Sequence, residues 1–142
     1  VYDNTRIILV ADHGRGLYLN WDRVIDNGPD TDFFFPLLMV KDFNAKGFSF
    51  SDTFMTTADV PTLATSGLID NPTNPFTGNA INANAKYDRP FYAFMSYDWD
   101  TSKNNGNQFF PGTWYRVDNQ NARDKRNWVM VGENTVLPDA LR

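Results

Sequence analysis

An α/β chain is predicted, and three stretches carry that prediction. Ile7-Ile8-Leu9-Val10-Ala11 is an unbroken apolar run rich in β-branched residues, the pattern of a strand buried on both faces, as in a parallel sheet flanked by helices. Residues 57–69 carry helix signals at both ends. Residues 91–131 hold three short aromatic and β-branched runs separated by polar turns, which suits a small antiparallel sheet. With 142 residues, 42% hydrophobic and 15% aromatic, there is apolar material for one compact domain with a core and too little for two large ones.

The first run delivers Asp12-His13-Gly14 to its carboxyl end, and His13 is the only histidine in the chain. Ligands of open α/β sheets bind at that edge, where loops leaving the strands diverge and open a crevice. The run begins within six residues of Val1, which is not a methionine, so no strand and crossover can precede it here. The chain is therefore expected to be part of something longer. Gly14-Arg15-Gly16 allows a tight turn, and the polar, acidic stretch from Asn20 to Asp32, interrupted by Gly28-Pro29, reads as a surface loop.

Phe33-Phe34-Phe35-Pro36-Leu37-Leu38-Met39-Val40 is a second apolar run, in which Pro36 breaks the ladder early and residues 37–40 form a second buried strand ended by Lys41-Asp42. Its phenylalanines are expected in the core, not on an exposed platform. Asn44-Ala45-Lys46-Gly47 reads as a turn. Farther on, Asp59 can cap free amides, Pro61 suits a first turn that needs no amide donor, and Gly67 suits the left-handed position after the last turn. Val60, Leu63, Ala64 and Leu68 give the helix one apolar face. Asp59 is more simply a cap than a catalytic acid.

From Asp70 to Asn84, asparagine, proline, threonine and glycine make a connector, with Asn71-Pro72 and Asn74-Pro75 starting turns. Residues 91–97, 113–117 and 127–131 are the three expected strands, and Asn105-Gly106 is a hairpin-turn candidate between the first two. Trp21, Trp99, Trp114 and Trp128 are candidates for sugar-stacking platforms, but half-buried core positions are the simpler reading. No internal repeat is visible.

Composition narrows the function. A formal net charge of -4 lacks the basic footprint that binding a phosphate backbone requires, so nucleic acid is not an expected partner. No apolar run approaches the roughly 20 residues that span a bilayer, and the first residues show no basic-then-apolar signal pattern, so the chain as given is expected to be soluble. The absence of cysteine removes disulfides and thiolate metal sites.

Asp12 and His13 are ligand types for divalent metals, oxygen for hard cations and imidazole nitrogen for zinc or manganese, placed where a strand holds them rigidly. Two ligands do not complete a site, because a catalytic zinc normally has three protein ligands and an open position. Asp22, Asp26, Asp30 and Asp32 are further oxygen donors, but their spacing fits no standard calcium loop. The other reading of the pair is a capping aspartate beside a histidine hydrogen-bonded to backbone.

Asp3-Asn4-Thr5, the apolar strand and Asp12-His13-Gly14 resemble a segment of the alkaline phosphatase superfamily, in the branch of sulfatases, phosphoethanolamine transferases and lipoteichoic-acid-synthase-like proteins. Pro36-Leu37-Leu38 is similar to the second strand of that family. Thr57-Ala58-Asp59-Val60-Pro61-Thr62-Leu63 is similar to the segment leading into its next helix. The resemblance covers roughly residues 2 to 70. It implies the C-terminal part of an alkaline-phosphatase-like core over residues 1–70, followed over 71–142 by a connector and a small aromatic-rich sheet subdomain.

By the same resemblance, Asp12 and His13 match metal ligands for a divalent cation, Zn, Mn, Mg or Ca, that polarises a sulfate or phosphate ester. No part of the chain matches the nucleophile. Some relatives carry another histidine before the second strand, where this chain has Phe33-Phe34-Phe35. The function implied is that of a C-terminal fragment of a sulfatase-like hydrolase or transferase acting on esters of glycan or lipid head groups. It would be inactive alone, with a metal site that this portion need not fill by itself. The N-terminal half of the same protein is its expected partner, with self-association of the fragment as another possibility, and the parent is expected outside the cytoplasm or anchored to a membrane. The alternative is a noncatalytic cell-surface module, structural or binding glycan through its aromatic half.

Overall fold

A computed structural model describes residues 1–17, 23–26, 28–96 and 110–141. It mixes helix and strand, with two small antiparallel sheets. The chain forms two compact units, one of residues 1–16 and 32–85, the other of residues 17–31 and 86–142.

In the first unit the apolar run forms a strand over Ile7–Val10 (β1) that pairs with Leu38–Lys41 (β2), Ile7 opposite Lys41 and Val10 opposite Leu38. The pairing is antiparallel, which corrects the expectation of a parallel strand buried on both faces. Leu9 is 53% exposed and Val10 45%, and across the ladder Met39 and Val40 are exposed as well. A continuous apolar run reports how much of a strand prefers burial; it carries nothing about the direction of its neighbour. The Phe33–Phe35 cluster, expected in the core, is half-buried, with Phe33 and Phe34 in a 3-10 turn over Thr31–Phe34.

Arg6, just before β1, ties this sheet to the helix. Its Nε donates to Asp42 Oδ1 at 3.0 Å, and its Nη1 donates to the carbonyls of Leu63, Ala64 and Ser66 at 2.9, 3.2 and 2.7 Å. The guanidinium also lies 4.8 Å from the Phe43 ring centroid. Those carbonyls belong to the last turn of Val60–Thr65 (α1) and the residue that ends it, groups that have no partner within a helix and that attract a cation.

The helix is shorter than its apolar pattern suggested. A 3-10 turn over Thr57–Asp59 leads into it, with a capping box in which the Asp59 carboxylate accepts the Thr56 amide at 2.7 Å. Pro61 occupies the first turn and Gly67 takes a φ of 71°, as the residue types require. Leu68 lies beyond the helix and is exposed. In the connector, Asn74 accepts the Phe76 and Thr77 amides through its side chain, and Thr73 bridges to Ala80.

The second unit holds the predicted three-stranded sheet, ordered Phe91–Met95 (β3), Gly112–Val117 (β4), Trp128–Thr135 (β5), every pair antiparallel. The buried hydrophobic side chains among the described residues, Ala93, Tyr115, Val117 and Trp128, all lie on it. Tyr97 and the Asn105-Gly106 turn lie outside the described residues.

Candidate metal centre

The Asp12-His13-Gly14 turn follows β1 directly and is held at both ends by main-chain hydrogen bonds. The Ala11 amide donates to the Leu37 carbonyl at 2.9 Å, extending the ladder by a step, and the Gly14 amide donates to the Phe33 carbonyl at 2.9 Å. Between these two anchors the chain turns outward. The Asp12 and His13 side chains are 89% and 73% exposed.

Asp12 Oδ1 accepts the His13 amide at 3.0 Å, and His13 Nδ1 lies 2.6 Å from the Gly14 carbonyl oxygen. These are the contacts of a capping aspartate beside a backbone-bonded histidine, and they leave the outward atoms available. Nε2 stands 3.8 Å from Asp12 Oδ1, too far for a hydrogen bond. That spacing is below twice the ~2.1 Å bond that zinc makes to nitrogen or oxygen, so one ion can touch both side chains.

Asp12 and His13 are donors of types that divalent cations take, and two such side chains do not by themselves make a ligand set. Among the described residues no group of three or more His, Asp or Glu side chains is poised to hold a metal, and within the first unit Asp32 does not complete one with Asp12 and His13. Asp26 faces Lys125 at 3.3 Å, and Asp30 is buried in the second unit. Asp22 lies outside the described residues.

The aromatic half does not present its described tryptophans as a platform. Trp128 is buried, its indole N–H donating to the Ala122 carbonyl at 2.8 Å. Trp114 is half-buried against Phe94, with ring centroids 4.8 Å apart, and donates to the Thr135 carbonyl. Trp21 and Trp99 lie outside the described residues.

One feature of the turn and one of the first unit have no local sequence signature. Gly14 read only as turn-forming, yet a Cβ placed on it would meet the Asp32 carbonyl oxygen at 2.0 Å and that of Phe35 at 2.6 Å. Arg6 carries no local sequence signal, because its partners at Asp42 and residues 63–66 are too distant in sequence to pair by any local rule. Compared with family models, curated proteins and solved structures, the chain finds no match.

Proposed function

We propose that residues 1–70 are the C-terminal part of an alkaline-phosphatase-like core in which Asp12 and His13 supply two ligands to a divalent metal. The observation that carries this reading is the pairing of an exposed carboxylate and an exposed imidazole nitrogen at the end of β1, on a turn anchored by main-chain hydrogen bonds at Ala11 and Gly14. When bound, such a cation supplies Lewis-acid polarisation of a sulfate or phosphate ester. The chain's own part is to hold Asp12 and His13 side by side before substrate arrives, which limits the reorganisation needed on binding.

The chain then acts as one portion of a sulfatase-like hydrolase or transferase working on esters of glycan or lipid head groups, outside the cytoplasm or at a membrane. The nucleophile and the remaining ligands come from sequence that none of these residues matches. Among the described residues no helix is long and apolar enough to cross a membrane.

Titration calorimetry with Zn²⁺ and Mn²⁺ tests the reading. Weak binding of one ion per chain is expected, abolished by Asp12→Ala and by His13→Ala. Binding that survives both substitutions, or no binding by the unsubstituted chain, defeats it. Tryptophan fluorescence that responds to glycans without metal would support a noncatalytic binding module instead.

A further inference from the structure

We infer that the free edge of β1 is a self-docking surface: two copies of the chain pair β1 against β1, antiparallel, about a two-fold axis at Leu9, and so build a four-stranded sheet ordered β2-β1-β1-β2. The inference stands apart from the metal reading, since it rests on the main chain of residues 8 and 10 and needs no ion.

Among the described residues β1 pairs with β2 alone. The Ala11 amide donates to the Leu37 carbonyl, so the odd-numbered residues of the run, 7, 9 and 11, turn their amides and carbonyls toward β2. Those of Ile8 and Val10 therefore point to the opposite edge, and no described residue bonds to them there. An unpaired edge is a template for another strand, and proteins usually guard it with proline, a charge or a bulge. The β2 edge has Pro36 just before it and Lys41 within it. Between Arg6 and Asp12 there is no such guard, because the run there is Ile-Ile-Leu-Val-Ala.

The edge is complementary to a copy of itself. With Leu9 facing Leu9 across the axis, Ile8 of one copy exchanges both main-chain hydrogen bonds with Val10 of the other, and each Arg6 stands across from an Asp12. The charges that bracket the run are of opposite sign, so this register sets no like charges against each other. Moving the axis by one residue puts Arg6 opposite Val10 or Asp12 opposite Ile8, and the apolar run is then only partly paired with itself. A two-fold pairing uses both β1 edges at once, so the association closes at two copies. Residues 7–11 are far fewer than the roughly 20–30 residues a side of a standard interface, which makes the pair weak and reversible and leaves the edge open in a dilute chain.

Sedimentation of the full chain over a dilution series tests the pairing, with circular dichroism to check that each variant folds. The unsubstituted chain is expected to pass from one copy to two as its concentration rises from micromolar toward millimolar, with no larger species. Leu9→Lys brings two ammonium groups together at the axis and Leu9→Glu two carboxylates, so each variant by itself is expected to stay single throughout. Leu9 is 53% exposed in the single chain, which lets both variants fold. An equimolar mixture of the two is expected to recover the pair, because only there do opposite charges meet. The inference is overturned by an unsubstituted chain that stays single, by growth beyond two copies, by pairs that persist in either variant alone, or by a mixture that fails to pair. If a variant loses its fold, amide exchange in the unsubstituted chain decides: the Ile8 and Val10 amides are expected to slow as concentration rises, and rates that ignore concentration overturn the pairing.

Discussion

Arg6 concentrates more polar contact than any other side chain of the first unit described above, and its position explains why a short helix holds its end. The side chain is 11% exposed, bonds three carbonyls at the end of α1, and meets Asp42, which is 56% exposed. Replacing it with alanine leaves those carbonyls short of a donor, so Arg6→Ala is expected to lower stability by about 2–3 kcal/mol, read as the urea midpoint. Arg6→Lys should recover only part, because an ammonium cannot span a carboxylate and three carbonyls at once; equal midpoints for the two variants would refute the clamp. On the second unit, Asp124 is held down to about 2, first by hydrogen bonds from the Arg126 side chain and then by the Arg126 amide. A carboxyl lowered in the folded state adds stability above its unfolded pKa of about 3.9, and that increment is lost as pH falls toward about 2. Asp124→Asn should therefore flatten the fall in melting temperature across that window, while a parallel profile would show that the pair does not couple to folding.

At the scale of elements, two glycines that follow regular elements differ in why they are needed. Gly67 ends α1 with a φ of 71° and open space where a Cβ would sit, whereas Gly14 is blocked by two backbone oxygens. Gly67→Ala should thus cost about 1 kcal/mol, through left-handed strain only. A loss well above that in thermal unfolding would mean that the helix end is packed more tightly than its geometry implies. The helix ends were legible in part because such residues act locally: Pro61 and Gly67 take the positions their chemistry suggests, whereas Asp59 bonds back to Thr56 and makes no side-chain bond to the amides of α1. The three-stranded sheet was legible for a similar reason, since short aromatic runs separated by polar turns leave few other arrangements. The direction of β1 was not, because its partner lies at residues 38–41 and the run itself has no directional signal. Of the site, the pair Asp12-His13 was visible as residue types, while the close approach at Gly14 arises only once residues 32–35 are folded against the turn.

For the molecule as a whole, burial is distributed unevenly between the two units, each taken by itself. The second unit carries Ala93, Tyr115, Val117 and Trp128 as buried hydrophobic side chains, with the Tyr115 and Trp128 ring centroids 5.9 Å apart. In the first unit, Asp59 is the buried residue, and the two-stranded sheet leaves Leu9, Val10, Met39 and Val40 exposed. A two-stranded sheet on its own is marginal in water, and fully covered apolar side chains are what hold a ladder closed. The same substitution at two valines exposes the contrast. Val117 is 0% exposed on the central strand, and Val117→Ala is expected to cost about 2 kcal/mol from lost burial and the cavity left behind. Val10 is 45% exposed, and Val10→Ala should change stability by no more than about 0.5 kcal/mol. Hydrogen exchange reads the same asymmetry without mutation: amides of residues 115–117, bonded within a sheet flanked on both sides, should exchange slowest, and those of residues 7–10 far sooner. If β1 proved as protected as β4, its apolar faces would be covered in solution, and only protection that falls on dilution would identify a second copy of the chain as the cover.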